Sequence, residues 1–112
     1  MIKPNELRIG NYFFDEDGNE KQIGYSDLVS LELTVLHFNP IPLTPEILER
    51  CGFEKGNDNL SLKVFEGYVS ILLILNTFPL VLEIDGSRMP LHRVKYLHQL
   101  QNLYFSLTGE EL

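Results

Sequence analysis

Cysteine occurs once, at Cys51, so the chain forms no internal disulfide and offers no multi-cysteine metal site. Basic side chains are scarce: 9 Lys and Arg stand against 16 Asp and Glu, a formal charge of −7. That balance opposes binding to a nucleic-acid backbone or an anionic lipid surface, both of which need cationic neutralisation. No apolar run approaches the roughly 20 residues of a membrane-spanning helix. The most apolar window, 68–84, is interrupted by Ser70, Asn76, Thr77, Pro79 and Glu83. The opening MIKPNELRIGNYFF has neither the basic start nor the continuous apolar stretch of a signal peptide, which sets a cytoplasmic expectation. Without export, the glycosylation triplet Asn59-Leu60-Ser61 carries no weight.

Catalytic and cofactor motifs are missing too. There is no phosphate-cradling glycine motif, no GxSxG and no HExxH. The imidazoles are His37, His92 and His98, and the last two would lie on different faces of a helix, so no paired-ligand spacing exists. Asp15, Asp17 and Asn19 alternate as calcium ligands do. However, an EF-hand loop needs its glycine at the sixth position and a glutamate at the twelfth. Here Gly18 is fourth and Ser26 twelfth, so the stretch is read as a solvated turn. Cys51 falls at the C-terminal end of a short helix, where the dipole opposes thiolate formation. No catalytic residue, cofactor or metal is assigned.

What is present is an ordinary globular composition, 44% apolar and 22% charged over 112 residues, which bounds the chain 1–112 to one domain with one core. Residues 7–14 begin as a strand, Asp15 to Asn19 turn, and 22–25 return as a hairpin. The run 30–38 alternates Leu31, Leu33 and Val35 with Glu32 and Thr34, the period of a half-buried strand. Thr44-Pro45-Glu46 reads as a helix start, and Gly52-Phe53 reads as a Schellman stop with Phe53 folding back on Leu48. Three strands follow, over 60–65, 68–75 and 80–84, with 76–79 as the link between the last two. Asp85-Gly86 closes a turn, and 88–95 offers one more strand.

The longest helical period lies at 96–109, YLHQLQNLYFSLTG. Tyr96, Leu97, Leu100, Leu103, Tyr104 and Leu107 share one side, and Gly109 supplies the stop. A helix of about a dozen residues is marginal alone in water, so it requires a partner surface. The opposite side is polar and uncharged, with Phe105 off the apolar stripe. His98, Gln101, Asn102 and Phe105 are therefore the candidate interaction surface.

Three stretches, KPNELRIGNYFF, IPLTPEILERCGF and YLHQLQNLYFSLTGEEL, occur in this order and span roughly a third of the chain. On these stretches the chain resembles a family of small bacterial proteins of gut anaerobes and their prophages or mobile elements. The resemblance implies an accessory protein in that context and supplies no activity, cofactor or catalytic residue.

The sequence thus predicts an α+β domain with an antiparallel sheet of about five or six strands, a short middle helix and a C-terminal helix packed on the sheet. The favoured function is a non-enzymatic accessory or protein-interaction module, acting on an unidentified protein partner or on a second copy of itself. Neither nucleic acid nor a membrane is an expected partner. Two alternatives stand beside it. One is a nucleic-acid-associated module in which Arg8 to Tyr12 starts an SH3-like barrel and Tyr12, Phe13 and Phe14 stack on bases. The other is a small-molecule binder or enzyme whose site is assembled only in the fold.

Overall fold

The computed structural model of the chain describes residues 7–24, 39–65, 68–75 and 77–112. The strand expected over 30–38 lies outside the described residues. Within them the protein is α+β, with a two-stranded hairpin, a five-stranded antiparallel sheet in sequential order, and two helices.

The hairpin pairs β1 (Tyr12–Phe14) with β2 (Glu20–Gln22), Tyr12 opposite Gln22 and Phe14 opposite Glu20. One side chain builds the turn. Asp15 Oδ1 accepts hydrogen bonds from the Asp17 and Asn19 amides, each at 2.9 Å, and Oδ2 meets Lys21 Nζ at 3.2 Å. The Asn19 amide, helped by Lys21 and the Asp17 amide, holds this carboxyl below the usual aspartate range.

The middle helix α1 (Pro45–Arg50) starts and stops on the residues that mark it in the sequence. Thr44 Oγ1 accepts from the Ile47 amide at 3.3 Å, and Pro45 occupies the first helical position. Gly52, at φ 99°, turns the chain so that its own amide donates to Glu49 O and the Phe53 amide donates to Leu48 O, both at 3.1 Å. This is a Schellman ending, and it buries Phe53 and Leu48 together in the core.

The main sheet runs β3 (Glu54–Lys55), β4 (Asn59–Phe65), β5 (Val69–Ile74), β6 (Thr77–Ile84) and β7 (Ser87–Leu91). Directly opposed residues share a face, and the register aligns the apolar ones in rows. Leu60 faces Leu73, Leu62 faces Ile71, Ile71 faces Leu82, and Leu80 faces Leu91. The link between β5 and β6 is shorter than the sequence suggests, because Thr77, Phe78 and Pro79 belong to β6. Pro79 is tolerated there for a simple reason. It falls where β5–β6 pairing is interrupted, between Leu72↔Val81 and Ile74↔Thr77, so its missing N–H removes no ladder bond.

The C-terminal helix α2 (Leu97–Thr108) sends Leu97 and Leu100 into the core formed by Leu48, Leu60, Ile71, Leu73 and Leu80. No Ser, Thr or Asp caps its start. Instead Gln99 Oε1 reaches back to accept from the Lys95 and Tyr96 amides at 2.8 and 3.1 Å. The extended residues 41–43 anchor the same end, Leu97 donating to Ile41 O at 2.8 Å and Leu43 to Lys95 O at 3.1 Å. Gly109, at φ 74°, ends the helix.

Candidate functional site

The polar side of α2 is where the sequence places an interaction surface, and the structure fills that side from within the chain. His98 and Gln101 are only 2% and 3% exposed, and Asn102 is half-buried. The covering segment is 8–12. Gly10, at φ 98°, presents its carbonyl to Gln101 Nε2 at 3.1 Å, and Gln101 Oε1 accepts from the Tyr12 amide at 2.9 Å. Asn11, fully buried, donates from Nδ2 to Asn102 Oδ1 at 2.9 Å and accepts the Arg8 amide on Oδ1 at 2.7 Å. Arg8 completes the network. Its Nε donates to Asn102 Oδ1 at 3.1 Å, its guanidinium lies 4.2 Å from the Phe105 ring centroid, and it pairs with Glu111.

Gln101 and Asn102 are therefore brought together as the receiving half of an intramolecular latch, while Phe105, with Arg8 over its ring, stays 38% exposed. His98, on the same helix face, stacks on Tyr96, ring centroids 6.1 Å apart. The burial of His98 and Gln101 on the polar side has a plain cause. Helical periodicity shows which side is apolar, whereas a polar side can be solvated or matched by polar groups from elsewhere in the chain. One signal for the match was Asn11, a lone amide ahead of the aromatic triplet, which in a buried strand must find hydrogen-bond partners.

The same packing uses the aromatics that the nucleic-acid reading required. Phe13 is buried, and Tyr12 and Phe14 are half-buried against the core. None of the three is exposed as a stacking face. Cys51 is half-buried beside a cavity of about 210 Å³ lined also by Tyr12, Glu20, Arg50 and Gln101. Burial pushes its thiol pKa up, and neighbouring Arg50 only partly opposes this. Glu20 and Arg50 pair at 2.9 Å. Of the remaining imidazoles, His92 is exposed and His37 lies outside the described residues. Among the described residues no group of three or more His, Cys, Asp or Glu side chains converges to hold a metal ion. No helix among them is long and apolar enough to cross a membrane.

Exposed large apolar side chains are spread over Ile9, Tyr68, Leu75, Phe78, Ile84, Met89 and Phe105, and two of them, Ile84 and Met89, share the turn end of the β6–β7 hairpin. Ile84 and Met89 are 46% and 53% exposed, yet the register puts them on the same sheet face as buried Ile71 and Leu82. They continue the core face into solvent as a shelf beside Val69, which pairs with Ile84. Exposed apolar residues scattered singly are normal, whereas large contiguous apolar patches are the ones that call for an explanation.

The edge of the sheet beside this shelf is blunted against strand addition by Pro90. Asp85 and Gly86 both have positive φ, at 48° and 84°, and form the two-residue turn that makes Ile84↔Ser87 the closing hydrogen-bonded pair. Alternation then leaves Arg88 and Pro90 directing their backbone groups outward, and Pro90 has no N–H to offer. A partner is therefore better served by the shelf's side chains than by the edge's backbone. Comparison of the chain with family models, with curated proteins and with solved structures gives no match.

Proposed function

We propose that this chain is a non-enzymatic protein-interaction module and that Ile84 and Met89 are the centre of its contact surface. One observation carries the reading: a sheet face that is core under α2 continues uncovered at these two residues. Burying an exposed Ile and Met against a partner contributes about 1.5–3 kcal/mol for each side chain fully covered. That is enough to anchor a transient contact if a rim of further residues excludes water. A second copy of the chain is one occupant of the shelf and an unrelated protein the other. A cytoplasmic location belongs to the same proposal, as does an accessory role in a mobile element, for which the sequence resemblance is the support.

The test compares the tagged wild-type chain with an Ile84→Asp, Met89→Asp double variant, captured from the native host with and without nuclease. Sedimentation of each purified protein runs alongside. Both positions are about half exposed, so the variant keeps its far-ultraviolet circular dichroism and melting profile. A nuclease-resistant partner, or a dimer, that the variant loses supports the shelf. A partner that the variant keeps, or a monomer with an empty capture, overturns it. Loss of the complexes on nuclease treatment would put the nucleic-acid reading in its place.

A further inference from the structure

A groove of about 320 Å³ opens where the start of β6 meets the link between β7 and α2. Its lining is Leu43, Phe78, Pro79, His92, Val94 and Lys95. Four of these are apolar and the other two are bases, and no described carboxylate lines it. On a chain of charge −7 this is a local inversion of sign. Other hollows differ. The larger cleft, about 490 Å³, sets Glu46, Glu49 and Asp58 against Lys55, and the cavity beside Cys51 holds the mutually neutralised Glu20 and Arg50.

The groove is also built on fixed backbone. Lys95 is held on both sides, its amide donating to Gln99 Oε1 at 2.8 Å and its carbonyl accepting from Leu43 at 3.1 Å, while its side chain stays exposed. Val94 donates to Leu91 O at 3.1 Å, which closes the turn carrying His92. The wall is Phe78, itself 40% exposed, and the base is buried Leu43.

We propose that this groove binds a small apolar monocarboxylic acid. The aryl or short alkyl body lies among Leu43, Phe78, Pro79 and Val94, and the carboxylate faces Lys95 and His92. Three physical points select this class. The volume is at the small end of the roughly 300–1,000 Å³ typical of ligand sites, which sets the ligand at one ring or short chain. Apolar walls reward hydrocarbon, and a few placed polar groups fix its orientation. The cationic Lys95, with the polar ring of His92 beside it, matches one negative charge, whereas a phosphate ester calls for a fork of guanidinium donors, and no described arginine lines this groove. The inference goes beyond the shelf, which lies at the opposite end of β6, and stands or falls separately.

The test is a titration of the isotope-labelled full chain with 3-phenylpropionate at low ionic strength, followed by amide shifts. Parallel titrations use its neutral amide and the cationic 3-phenylpropylamine. So small a ligand is expected to bind with a Kd of about 1 mM, with saturable shifts confined to 43, 77–80 and 91–96. The neutral amide should bind roughly two- to fivefold more weakly, the scale of an exposed ion pair, and the amine more weakly still. Lys95→Glu should abolish the preference for the acid without moving the melting temperature, because Lys95 is exposed. Phe78→Ala should weaken the acid and the amide alike. The inference is overturned by the absence of saturation at about 10 mM, by equal response to all three probes, by shifts mapping elsewhere, or by a Lys95→Glu protein that still prefers the acid.

Discussion

The five-stranded sheet and the N-terminal hairpin are held to the same helix by opposite means. The sheet meets α2 through Leu60, Ile71, Leu73, Leu97 and Leu100, apolar side chains that need only the right face and volume. The hairpin meets it through Arg8, Asn11, Gln101 and Asn102, where each donor has a particular acceptor. Apolar contact is non-directional and degrades gradually with area, whereas a buried amide left without its partner incurs the full desolvation penalty of that group. The sheet side should therefore set the global stability of the molecule, and the hairpin side its local order.

The strongest attack on that contrast is Leu100→Asp. Leu100 is fully buried, and a carboxylate there has no partner in the apolar core. Truncation to alanine alone would cost about 2–5 kcal/mol, so the charged variant is expected to be unfolded, a result that circular dichroism and one-dimensional NMR would register. A folded Leu100→Asp protein would mean that α2 is not the keystone of the sheet.

Gln101→Ala attacks the other side. It strips the Tyr12 amide of its acceptor and Gly10 O of one donor, an expected loss of about 1–3 kcal/mol. The diagnostic is where the loss appears. Amide hydrogen exchange should accelerate in β1 and β2 and change little at Ile71 and Leu73. Equal acceleration in both regions would dissolve the distinction.

A smaller effect is expected at Gly52, which lies in neither region and serves as a control for purely local strain. A Cβ there meets nothing within 4 Å, so Gly52→Ala is penalised only through its φ of 99°. The expected cost is about 1 kcal/mol, seen in chemical denaturation as a lower midpoint with unchanged slope. The smallest effect concerns Asp15. Its folded pKa lies below the ordinary 3.8, so its contribution is present above that value and is lost as pH falls through the folded pKa. Asp15→Asn should remove that part of the acid dependence, making the melting temperature fall less steeply between about pH 5 and pH 2.

Much of the sheet side was legible because its instructions are local. Thr44-Pro45, Gly52-Phe53 and Asp85-Gly86 each carry a backbone requirement that few other residues meet, and each sits where the sequence placed it. Alternation in 60–65 and the apolar runs beyond it predict strands, although the expected 76–79 link is too long, because Thr77, Phe78 and Pro79 belong to β6. The candidate site was less legible. His98 and Gln101 read as a solvated or partner-facing side, and both are buried.

By itself the sequence determined the fold class, the two helices with their stops, and the central strands β4 to β6, since propensity, capping and period act within a few residues. Only the tertiary structure decided that the polar side of α2 would be met by Arg8 and Asn11, about ninety residues away along the chain. It alone also left Ile84 and Met89 uncovered on a core face, and gathered Leu43, Phe78, His92 and Lys95 around one groove. The physical reason is that a polar side chain's solvation depends on what the rest of the chain brings to it, and no periodicity encodes that meeting.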